Sequence, residues 1–132
     1  MRLNALDEND RREFEVRVAG PSALLVAKLH KLADRSGERE ARRLKDKDAL
    51  DVLRLLRAIP VARLAKGLRE LGDSTLAGDV TREAIEHLQG LFGATTSSGT
   101  EMVVRATERL EDPSVMSASC VALADDLIRA VR

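Results

Sequence analysis

Lys28, Lys31 and Arg35 stand at positions i, i+3 and i+7 of the run Lys28-Leu29-His30-Lys31-Leu32-Ala33-Asp34-Arg35. On a helix this spacing stacks the three cations on one stripe, beside a second stripe of Leu25, Leu29 and Leu32. Two ammonium point charges and a forked guanidinium along one edge make an anion site of the kind a polyphosphate needs. The same run also serves as a solvated basic face that forms ion pairs with a neighbouring helix. A second cluster, Lys45-Asp46-Lys47-Asp48-Ala49-Leu50-Asp51-Val52, puts Asp48 and Asp51 at the start of a line that continues through Val52, Leu55 and Ile59. Carboxylates at a helix start are favoured by the helix dipole. Two helices joined by a short connector tend to pack as an antiparallel pair, so these acids can answer the cations of the first helix. They would then orient Lys28 and Arg35 toward a phosphate, or hold a cation. As scaffold, they would cap the helix and form salt bridges.

The elements that must position these residues are mostly helical. Gly20-Pro21 opens a first helix, and Ser36-Gly37 closes it. A charged connector from Glu38 to Arg43 leads to a second helix from about Leu44 to Ile59, with Val52, Leu55, Leu56 and Ile59 inward and Pro60 as its stop. Shorter helices follow. Val61 to Leu71 has Leu64, Leu68 and Leu71 inward and Gly72 as its stop. Asp79 to Phe92 has Val80, Ala84, Leu88 and Leu91 inward. A flexible connector, Gly93 to Gly99, precedes a helix capped by Thr100 and ending at Leu110. Pro113 starts a last helix through Met116, Cys120, Leu123, Leu127 and Val131. Phe14 to Val18 alternates apolar and polar residues with period two, the one strand signal in the chain. Residues Met1 to Glu13 read as a polar tail. The expected fold is a mostly α, five- to six-helix bundle with one short N-terminal β-strand, a single domain over residues 14–132. Residues 14–59 carry the motifs, and 61–132 form the scaffold.

Composition narrows the function. The chain has 132 residues, 44% apolar and 33% charged, enough for one buried core. Lys and Arg number 22, as do Asp and Glu. A protein held on nucleic acid mainly by bulk charge is not expected from such a balance. With no Trp or Tyr and only Phe14 and Phe92 aromatic, the chain offers no stacking platform for single strands. Residues 1–60 carry a net +3 and residues 61–132 a net −3, so anion binding belongs to the first half. One cysteine excludes an intrachain disulfide. The polar start and the lack of a run of about 20 apolar residues speak against a secretory signal and a membrane span, and cytoplasm is the expected location.

The two motifs together resemble a segment of bacterial nucleotidyltransferase-like proteins related to the abortive-infection (AbiE-type) toxins. In that family a Lys-Leu-x-x-Leu-x-x-Arg helix follows the last strand of the catalytic core, and the next helix carries a basic-Asp-x-x-Asp-apolar pattern. Lys28 to Arg35 and Lys47-Asp48-x-x-Asp51-Val52 match in order and spacing over about residues 14–59. The resemblance implies that Lys28, Lys31 and Arg35 face nucleotide phosphates and that Asp48 and Asp51 support them. Ala27 stands where the family often has an acid. The family's Gly-Ser turn and metal-binding Asp-x-Asp strand are absent. Asp46-Lys47-Asp48 has that form but a lysine at its centre and a place at a helix start. The expectation is therefore a nucleotidyltransferase-like accessory or truncated domain, with no catalytic or metal-ligating residue of its own. Mg²⁺ and NTP are implied only if the half-site survives. A homodimer or a separate protein partner would join through the Phe14–Val18 strand.

Two other functions compete: a helical protein-interaction module in which the charges only join helices, and a divergent Mg²⁺-dependent nucleotidyltransferase in which Asp48 and Asp51 hold the metal. His30 and His87 read as surface or boundary residues, Cys120 as an inert core thiol and Asp125-Asp126 as a solvated face. Gly93 to Gly99 lacks the Gly-Lys-Ser/Thr ending of a phosphate loop. No helix shows the clustered Arg, Asn and Gln of a DNA-reading helix.

Overall fold

A computed structural model describes residues 20–34 and 42–132, all helices and short turns. The segment Phe14–Val18, the tail before it, Arg35 and the Ser36-Gly37 stop lie outside the described residues. The elements are α1 (residues 20–33), α2 (Arg42–Ala58), α3 (Val61–Asp73), α4 (Gly78–Phe92), α5 (Ser98–Thr107) and α6 (Pro113–Val131). No helix among the described residues is long and apolar enough to cross a membrane.

The apolar stripe of α1 is fully used: Leu25, Val26, Leu29 and Leu32 are all buried. Ser22 adds a tie, its hydroxyl donating to the Leu64 carbonyl of α3 at 2.9 Å. Helix α2 begins two residues before Leu44 and buries Ala49, Val52, Leu53 and Leu56, while Leu55 and Ile59 pack at the core's edge. Pro60 breaks the chain, and its carbonyl accepts the first amides of α3 from Arg63 and Leu64.

Gly72 does not stop α3. The helix runs to Asp73, and Ser74 turns the chain, its hydroxyl accepting from the amides of Leu76 and Ala77. A β-carbon at Gly78 would lie 2.9 Å from the Gly72 carbonyl oxygen, so the α3–α4 corner is as tight as a glycine permits.

In α4 the buried line is Thr81, Ala84, Leu88 and Phe92; Ala84 and Leu88 are the expected residues, Leu91 packs at the core's edge, and Val80 is exposed. Phe92 decides this. Burying the larger ring outweighs burying Val80 on the adjacent stripe.

Helix α5 starts at Ser98 and ends at Thr107, leaving Leu110 exposed in the following turn. Thr100 is not its cap. Thr100 is buried, and its hydroxyl donates to the Ala94 carbonyl at 2.9 Å, closing the 93–97 turn together with the Ala94 amide on Ser97 Oγ. Helix α6 is capped by Asp112, whose Oδ1 accepts from the Ser114 and Val115 amides, with Pro113 at the first position. Its inward line is Met116, Cys120, Ala124, Leu127 and Ile128. It touches α2, α3, α4 and α5, and α2 also packs along α5.

Candidate functional site

The charged residues of α1 and α2 meet. Lys28 Nζ lies 3.0 Å from Asp48 Oδ1 and 3.3 Å from Asp51 Oδ2. Lys31 Nζ lies 3.2 Å from Asp48 Oδ2, and Arg54 stands 3.6 Å from Asp51 Oδ1. The four-residue spacing from Lys28 to Leu32 and from Asp48 to Val52 explains the meeting. On each helix the charged stripe flanks the buried one, so packing the leucines brings the charges together at the seam.

Burial differs sharply across the cluster. The Asp48 side chain is 7% exposed, Lys28 24% and Lys31 63%. Asp48 is the one charged residue buried among the described residues. Its Oδ1 accepts from Lys28, but Oδ2 receives no hydrogen bond. Lys31 is at ion-pair distance from Oδ2 without the alignment of a hydrogen bond, so that oxygen is neutralised by charge rather than by a donor. The hydrogen bond to Asp48 raises the pKa of Lys28, partial burial opposes it, and the bond to Asp51 adds to the rise. Lys28 therefore stays cationic at physiological pH. Of its three N–H donors, the two aspartates engage two, which leaves one for an anion at the edge.

Asp46 is not part of the cluster. Two positions from Asp48, it points about 200° around the helix and accepts from Nη2 and Nε of Arg105 of α5, at 3.0 and 3.3 Å. That bond raises the Arg105 pKa. The two acids of Asp46-Lys47-Asp48 thus serve opposite faces of α2. Arg35, the third cation of the α1 motif, lies outside the described residues.

Two features escaped the sequence reading. Lys45 donates to the Asp34 backbone carbonyl and so closes the end of α1. It also lines a cavity of about 480 Å³ where α1, α2, α4 and α5 converge, with Leu32, Glu86, His87, Ser98 and Met102. The chain's two histidines also meet. The rings of His30 and His87 lie 5.0 Å apart, edge to face, and His30 Nε2 is 2.8 Å from the Val80 carbonyl oxygen. The only sequence signal was that each follows or precedes a buried leucine, Leu29 or Leu88. Cys120 is fully buried, and burial pushes its thiol up to about 11, with Arg57 opposing weakly. Asp125 pairs with Arg129 on an exposed face.

No family model, curated protein or solved structure matches the chain.

Proposed function

We propose that this chain is a nucleotidyltransferase-like accessory domain whose α1–α2 edge forms one wall of a nucleotide-phosphate site. It does not carry out catalysis alone. One observation supports the reading above the others: Lys28 is gripped by Asp48 and Asp51, residues of the second motif, which use two of its three donors. Acids in this position do not consume the cation. They fix where it points and keep it charged, which is what a phosphate contact requires. Lys31, more exposed, adds a second cation beside it, and Arg35 would add the third. The remaining wall and any metal-binding acids come from a partner chain, or from a second copy joined through residues 14–18. Mg²⁺ arrives with the nucleotide.

A backbone-amide NMR titration of the purified chain with ATP, CTP, GTP and UTP, with and without Mg²⁺, tests this. Shifts centred on Lys28, Lys31, Asp48 and Asp51 are expected at millimolar nucleotide. A spectrum that does not move overturns the reading.

A second reading is favoured by the pairing within the cluster, where Lys28, Lys31 and Arg54 all lie against Asp48 or Asp51. Here the edge is a clamp between two helices and the chain is a protein-interaction module. Replacing Lys28 would then lower stability and leave partner binding unchanged.

A further inference from the structure

The chain has two histidines, and the fold brings them together from different helices. We infer that His30 and His87 form a two-imidazole site for a late first-row divalent ion of the zinc, nickel and copper class. This inference does not rest on the nucleotide reading.

Three observations carry it. The first is spacing. With a metal–nitrogen bond of about 2.0–2.1 Å, two imidazoles on one tetrahedral ion have ring centres about 5 Å apart, and these rings stand at 5.0 Å. The second is tautomer. A backbone carbonyl only accepts, so the 2.8 Å contact with Val80 means that His30 Nε2 carries the proton. Its Nδ1 then holds a lone pair. A ring N–H donated to a carbonyl is the support that metal-ligating histidines commonly have, because it fixes ring orientation and raises ligand basicity. The third is access. His87 lines the 480 Å³ cavity beside Glu86 and Ser98. The rings meet edge to face at 88°, so coordination requires a ring to turn about its own axis until both ring nitrogens face the ion. The cavity gives room for that turn and for the waters that complete the coordination shell.

Neighbouring charge does not forbid the ion. Lys28 and Lys31 flank His30 in sequence, but both ammonium groups lie against Asp48 and Asp51. Lys45, in the cavity wall, is turned to the Asp34 carbonyl. No set of three His, Cys, Asp or Glu ligands comes together among the described residues. The site is therefore open and exchangeable, unlike a closed structural zinc site. Imidazole nitrogen selects this metal class over Mg²⁺ and Ca²⁺, which prefer oxygen.

The test uses the tag-free full chain, freed of metal by chelation. Zn²⁺ and Ni²⁺ are titrated by calorimetry and by NMR of the histidine ring signals. One ion per chain is expected, both rings shifting together, with no ring shift from Mg²⁺ or Ca²⁺ at the same concentration. His30→Ala and His87→Ala each weaken binding by at least about tenfold, with circular dichroism checking that the variants stay helical. Two results overturn the inference: ring signals of the unmutated chain that do not move at millimolar Zn²⁺ and Ni²⁺, or binding that survives in the double variant. The first needs no substitution, so it decides the matter even if a variant unfolds.

Discussion

The α1–α2 edge and the α4–α6 side of the bundle bury side chains by opposite means. At the edge, Asp48 is nearly as hidden as Leu53 of the same helix, yet it bears a charge and is held there by Lys28 and Lys31. Across the molecule, Phe92, Val103, Cys120 and Ala124 are buried in the apolar core, and Met116, buried with them, takes only a long contact from Arg57 at 3.6 Å. The apolar side gains from any contact that removes surface from water, whatever its direction. The edge gains only if charges meet at the right distance, because an unpaired buried carboxylate costs several kcal/mol. The apolar side therefore makes little demand on direction, and geometric demand is concentrated at the edge.

The comparison breaks most severely at Phe92. Phe92→Ala should cost about 3–5 kcal/mol in urea unfolding, and the loss should be the same at low and high salt. Asp48→Ala should cost less, about 2–3 kcal/mol, because Lys28 keeps Asp51. This loss should shrink in salt, since Lys31 is open to screening. A Lys28→Met/Asp48→Leu double variant sharpens the contrast. It should recover most of the loss, since a buried ion pair replaced by apolar groups of similar size is often neutral. If it does so and no longer shifts with nucleotide, the edge is kept for binding rather than for stability.

The smallest effect separates the regions by pH. At neutral pH, Cys120 should resist alkylation in the folded chain, because its thiol is protonated until about 11. Its contribution to stability is complete below the ordinary thiol range, near 9, and is lost as pH rises toward 11. Lys28 also has a raised pKa, so its contribution is complete below 10.5 and lost above that value. A pH series of melting curves should thus show a thiol-dependent fall that begins first and disappears in Cys120→Ala.

Much of this was legible in the residues. The helical course followed from 3.6-residue apolar spacing, Pro60 and Pro113 marked real boundaries, and the facing of Lys28 with Asp48 followed from charged stripes beside leucine stripes. The errors share one cause, which is that periodicity does not weigh side-chain size or tertiary contacts. Val80 lay on a regular line with Ala84 and Leu88, but the burial of Phe92 left it exposed. Thr100 had the chemistry of a cap and instead spends its hydroxyl on Ala94. The His30–His87 contact joins helices far apart in the chain, and nothing local encodes it.

The reach of α6 has a consequence for synthesis. Helices α2, α3, α4 and α5 all rest on α6, which comes after them in the chain. While the ribosome makes this protein, each earlier helix emerges with part of its apolar stripe still uncovered. Closure waits for a single late event. The nascent chain is then most exposed to chaperones and to aggregation just before α6 leaves the exit tunnel.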